Sequence, residues 1–108
     1  MSARLASGIW VSAYLRRFQI DGIPAYVIAR GDDTAGAVLV KLALMDGTAR
    51  AYVRGFDLNS GARVWQVLVE GPEASVDEAI SRQRSFDPDL WVIEVEDARG
   101  RVLLEDME

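Results

Sequence analysis

The chain has 108 residues, 50% of them apolar and 27% charged, with 17 acidic against 12 basic residues and a net charge of −5. It contains no histidine and no cysteine. Those absences exclude a Ser-His-Asp triad, a thiolate nucleophile, a cysteine- or histidine-ligated zinc and a two-histidine iron centre built from this chain alone.

A chain of this length can bury roughly 65% of its unfolded surface, so one domain over residues 1–108 is expected, without metal or disulfide support. The composition is globular, with disorder expected only over the last few residues. The acidic balance argues against a nucleic-acid partner, because such affinity comes largely from basic residues that displace counterions. No apolar run approaches the roughly 20 residues of a membrane span. Arg4, Arg16 and Arg17 surround an apolar stretch, but no small-residue cleavage site follows, so a cytoplasmic location is expected.

From Ser7 to Ile20 the polar residues recur every three or four positions while Val11, Tyr14, Leu15 and Phe18 share another side, which predicts an amphipathic helix stopped by Asp21-Gly22. After Pro24, Ala25, Val27 and Ala29 alternate with Tyr26, Ile28 and Arg30, the period of a strand. Gly31 to Gly36 reads as a hairpin connection. Ala37 to Leu44 is a nearly continuous apolar run broken only by Lys41, which suggests a central strand. Asp46-Gly47 signals a two-residue hairpin.

The returning strand, Thr48 to Arg54, sets Arg50, Tyr52 and Arg54 against Ala49, Ala51 and Val53. A loop from Gly55 to Gly61 leads to a strand from Ala62 to Val69, where Trp65, Val67 and Val69 share a face. Ser75 and Glu78 have the spacing of a capping box for a short helix through about Arg84, ended by Asp87-Pro88. Leu90 to Glu96, a turn at Ala98 to Gly100 and Arg101 to Leu104 form a last hairpin. The sum is an α+β fold: a mostly antiparallel β-meander of about six strands with two helices on its inner face, in the order α-β-β-β-β-α-β-β.

Three segments, RLASGIWVSAYLRR near the N-terminus, GDDTAG after AYVIAR, and FDPDLWVIEVED late in the chain, together resemble a small bacterial family known as domain of unknown function 1491. The resemblance covers nearly the whole chain. It implies a small bacterial protein and carries no activity, cofactor or site residue with it.

The acidic run Asp87 to Asp97 sorts by alternation: Trp91, Ile93 and Val95 to one face, Leu90, Val92, Glu94 and Glu96 to the other. Glu94 and Glu96 are expected to pair across strands with Arg50 and with Arg54 or Arg63, as a charged outer face. Asp87 and Asp89 fit turn positions better than a paired-carboxylate acid/base site. The loop Arg30, Gly31, Asp32, Asp33, Thr34, Ala35, Gly36 has two glycines that could expose backbone N–H groups, yet lacks the Lys-Ser/Thr ending of a phosphate loop. Trp10, Trp65 and Trp91 read as core anchors, or as anchors of a dimer contact.

No catalytic residue, metal ligand or cofactor emerges. The expected role is a non-enzymatic, protein-binding or homodimeric module, with Arg30, Asp32, Asp33, Thr34, Arg50, Arg54, Asp87, Asp89 and Trp91 as candidate contacts. The alternative is a small-ligand-binding or magnesium-dependent enzyme using Arg30 to Gly36.

Overall fold

The computed structural model of the chain describes residues 5–104. Arg4 and the last few residues, for which disorder was expected, lie outside that range. The elements are α1 (Ser7–Asp21), β1 (Ala25–Ala29), β2 (Val38–Ala43), β3 (Thr48–Phe56), β4 (Arg63–Pro72), α2 (Glu73–Phe86) and β5 (Trp91–Glu96). The five strands form one sheet in the order β1-β5-β2-β3-β4. Among the described residues no helix is long and apolar enough to cross a membrane.

The α+β class and both helices match the sequence pattern, but the sheet departs from the expected meander in two ways. First, β5 enters between β1 and β2, antiparallel to β1 and parallel to β2, so the sheet is mixed. The Gly31–Gly36 segment therefore joins strands separated by β5 and is no hairpin. Second, the described residues form five strands, because Arg101 to Leu104 does not pair. The Asp97 carboxylate accepts the backbone N–H of Arg101 at 2.7 Å and its guanidinium at 2.9 and 3.0 Å, which folds the chain back. Leu103 then takes a positive φ of 53°.

The helices cover opposite faces of the sheet, where one shared face was expected. On the α1 side, Trp10, Val11, Tyr14 and Phe18 pack with Val40, Leu42, Trp91, Ile93 and Val95. On the α2 side, Val76 and Ile80 pack with Leu39, Ala49, Ala51 and Val92. β2 and β5 are thus enclosed from both faces, which is why their sequences are runs of apolar residues where a half-exposed strand would alternate.

Local chemistry explains the boundaries. Gly22 ends α1 in the left-handed region at φ 69°, donating to the Gln19 carbonyl, while Ile23 donates to that of Phe18. That is the Schellman arrangement, and Ile23 joins Phe18 in the core. The β2–β3 turn holds three residues, Met45, Asp46 and Gly47, because Leu44 already pairs with Thr48. In β4 a register shift opposite Ala51/Tyr52 puts Val69 with the α2 core, on the other face from Trp65, so the alternation read from sequence fails there.

The capping box at Ser75 and Glu78 does not form. α2 begins two residues earlier, at Glu73, whose N–H donates to the Gly47 carbonyl.

The unpaired C-terminal segment is held by α1. Tyr14 donates its hydroxyl to the Val102 carbonyl at 2.6 Å in a buried setting, and Arg17 donates to that of Leu103 at 3.2 Å. Val102 and Leu104 complete the core on that side. Tyr14→Phe removes the hydroxyl and leaves a buried carbonyl short of a donor, so it is expected to lower the unfolding free energy by roughly 1–2 kcal/mol in urea titrations. An unchanged midpoint would show that this bond does not anchor the segment.

Candidate functional site

Seven of the nine candidate residues meet at one end of the sheet. The Asp32 carboxylate accepts the N–H groups of Thr34 at 3.2 Å and Ala35 at 2.8 Å, which rounds the loop onto itself. The Asp32 carbonyl accepts the Trp91 indole N–H at 2.8 Å, and its own N–H donates to the Asp89 carbonyl at 3.0 Å. Arg30 donates to Asp33 at 2.9 Å and lies over the Trp91 ring at 5.1 Å. Asp87 turns the chain toward β5 by accepting the Asp89 N–H at 3.1 Å.

The same loop is stitched to the start of α1. Ser7 and Gly8 donate their N–H groups to the Thr34 and Asp33 carbonyls, and the Ser7 hydroxyl donates to the Gly36 carbonyl at 2.6 Å. Gly31 and Gly36 are required here, since a Cβ on either would collide with the Asp89 carbonyl. Above this junction a groove of about 450 Å³ opens between α1 and β1, with Ile9, Ser12, Leu15, Val27, Arg30 and Trp91 in its walls.

Arg50 and Arg54 stand apart from that junction. Arg50 pairs with Glu70 of β4 at 3.1 Å. Arg54 lies over the Trp65 ring at 4.8 Å and that of Trp10 at 6.0 Å. Neither meets Glu94 or Glu96, because β5 is flanked by β1 and β2 and never touches β3. The expected cross-strand pairs are therefore replaced by others.

Their replacement centres on Lys41, the chain's single lysine, which stood out in the sequence only as a break in an apolar run. It is 5% exposed and points to the α2 face. Its ammonium lies 2.7 Å from Glu73, 2.7 Å from Asp77 and 3.3 Å from Glu94. Glu73 and Asp77 stand four apart on α2, so one helix face presents both. Burial alone would lower the Lys41 pKa, but hydrogen bonds to Asp77 and Glu73 and the charge of Glu94 outweigh it and hold the group above the usual lysine range.

Beside it, the Tyr26 hydroxyl donates to Glu96 at 2.9 Å and to Glu94 at 3.2 Å. Desolvation, then those hydrogen bonds and the two negative charges, push its pKa up to about 12. The signal available in sequence was a lone lysine inside an apolar strand followed by acids at helical spacing. An ammonium so enclosed is protonated at neutral pH and cannot serve as a nucleophile or base.

Among the described residues no group of three or more acidic side chains is arranged to hold a metal ion. The mixed sheet with one helix on each face defines a small α+β protein.

The chain belongs to the DUF1491 family, described as a protein of unknown function, whose model matches residues 5–105. It is similar to a crystal structure of a DUF1491 family protein from Caulobacter crescentus CB15, at 38% identity over 95% of each chain with a TM-score of 0.84. An NMR structure of a DUF1491 family protein from the same organism matches at 39% identity, covering 93% of this chain and 92% of that one, with a TM-score of 0.79. A solution structure of protein Atu0922 from A. tumefaciens matches at 31% identity, covering 87% and 86%, with a TM-score of 0.72. No curated protein matches the chain.

Two outcomes test the Lys41 cluster. Lys41→Met leaves Glu73, Asp77 and Glu94 facing one another, and with two of the three partly exposed the expected loss is roughly 2 kcal/mol in urea titrations. A neutral result would show the ammonium to be dispensable. Both raised pKa values have one sign: their stabilisation is complete below the unfolded values near 10 and is lost as pH rises through the folded ones. Stability is therefore expected to fall between pH 10 and 12, with a shallower fall in Tyr26→Phe, and phenolate absorbance should show one tyrosine titrating near 12.

Proposed function

We propose that the chain is a non-enzymatic, cytoplasmic module that acts through a protein interface, with a second copy of itself as the first partner. The observation that carries this reading is the β3–β4 hairpin, where Leu58 is 98% exposed and Phe56 61% at the tip, with Val67 and Leu68 47% and 41% exposed on β4. The fold gains nothing from leaving these side chains in water. β4 is also a sheet edge, and its outward N–H and C=O groups have no strand partner. An apolar patch beside an open edge favours a contact across a two-fold axis.

The chemistry of the other candidate residues weighs against the enzyme alternative at Arg30 to Gly36. The Asp32 carboxylate caps its own turn and that of Asp33 is held by Arg30, so the loop offers no carboxylate pair for magnesium. Nucleic acid has the least support, with a net charge of −5, Arg50 neutralised by Glu70 and Arg54 laid over tryptophan.

Light scattering at tens of micromolar tests the reading. A dimer is expected for the natural sequence and a monomer for the double substitution Phe56→Ser, Leu58→Ser, with the melting temperature of the monomer unit preserved because both side chains are exposed. A natural chain that stays monomeric and retains no protein partner removes the proposal.

A further inference from the structure

The two open edges of the sheet are defended unequally. β1 is five residues long, follows Pro24 and carries a register break between Val27 and Ala29, three features that keep an edge from pairing with another chain. β4 runs for ten residues, and its stretch from Val64 to Val69 holds no charge, proline or glycine. The irregularity there is a single extra residue, Leu68, facing the step from Ala51 to Tyr52. A long apolar edge of this kind calls for a partner strand, and its backbone limits where that strand can lie.

Both ends of β4 show which residues bond inward. Asp57 donates its N–H to the Ala62 carbonyl, and Glu73 donates to that of Gly47. Counting in steps of two, Val64 and Gln66 from one end, and Gly71 and Val69 from the other, also face β3, with Leu68 taking up the odd count. Arg63, Trp65, Val67 and Glu70 therefore turn their N–H and C=O groups toward the open side. In an antiparallel ladder two residues opposite each other are either both bonded or both unbonded. A two-fold axis relating two copies of β4 must then pass through a residue position.

The side chains choose the residue. With the axis at Gln66, Trp65 lies opposite the partner's Val67 and Val64 opposite the partner's Leu68, so the exposed Val67 and Leu68 gain apolar neighbours on both sides of the axis. The extra residue brings Arg63 beside the partner's Glu70, whose Oε2 is held by Arg50 at 3.1 Å while Oε1 can accept a second donor. An axis at Trp65 would instead set Val67 against the partner's Arg63, and one at Val67 would set Trp65 against the partner's Glu70. Resting on the dimer reading above, we infer that two copies pair antiparallel through β4 about Gln66, joining their two sheets into one. Growth stops at two copies, because the outer edges of the joined sheet are then the guarded β1 strands.

The chain has no cysteine, so single introduced cysteines read the register directly. Gln66 and its symmetry mate form an unbonded pair with Cα atoms about 4.5 Å apart, within the span of a disulfide. Gln66→Cys is therefore expected to become a covalent dimer in a glutathione redox buffer at tens of micromolar, as seen on a non-reducing gel. Val64→Cys and Leu68→Cys each stand about 13 Å from their own mates, so each is expected to cross-link at least tenfold more slowly alone, and readily when the two are mixed. Val67→Lys places a charge on the edge and is expected to give a monomer in light scattering with its melting temperature kept. If the natural chain is a dimer but Gln66→Cys links no faster than Val64→Cys, or Val67→Lys remains a dimer, pairing about Gln66 is overturned while the contact through Phe56 and Leu58 stands. A natural chain that stays monomeric overturns both.

Discussion

β5 is hydrogen-bonded along both edges and covered on both faces, and the positions of the other elements follow from that. Its Trp91, Ile93 and Val95 give α1 something to lie on, while Val92 gives α2 the same on the reverse side. Because it runs parallel to β2, the chain must travel from the far edge of the sheet back to its centre, and α2 is the connection that does so. Removing β5 would leave β1 detached from the sheet and both cores open.

Within that frame Lys41 does a directional job. A buried ammonium is costly to desolvate, and replacing the whole cluster, ammonium and carboxylates together, by apolar residues of similar size would often serve stability as well or better. What the charge adds is specificity of placement. It fixes the first turn of α2 through Glu73 and Asp77 and ties that turn to β5 through Glu94. Tyr26 extends the network to β1 through Glu94 and Glu96, so carboxylates of one central strand are shared between the sheet edge and the helix.

The readable parts of the sequence were those set by short-range rules. α1 and its stop at Gly22, the extent of β2 and the turn role of Asp32 and Asp87 all follow from periodicity or from a side chain bonding its own backbone. What escaped was set by partners distant in sequence. Nothing local says that Trp91–Glu96 pairs with Val38–Ala43 in parallel, although two apolar runs without alternation were a hint of burial from both sides. At the start of α2 the contacts come from far along the chain: the Glu73 N–H meets the Gly47 carbonyl and its carboxylate meets Lys41, 32 residues earlier. The last strand failed because Asp97 bonds Arg101 more locally than a hairpin would. The carboxylates of β5 were correctly sorted to one face, but that face is the one α2 covers, so Glu94 meets the Lys41 ammonium and Glu96 the Tyr26 hydroxyl where arginines of an outer surface were expected.

The late position of β5 also has a meaning for biosynthesis. The strand at residues 91–96 leaves the ribosome after the four other strands, yet it lies inside the sheet, between β1 and β2. Until it arrives, β1 and β2 each have an edge waiting for it, and α1 has no floor. Nascent chains must therefore hold apolar surface open until residues 91–96 have emerged, a condition that favours chaperone capture and a single concerted closure over stepwise folding.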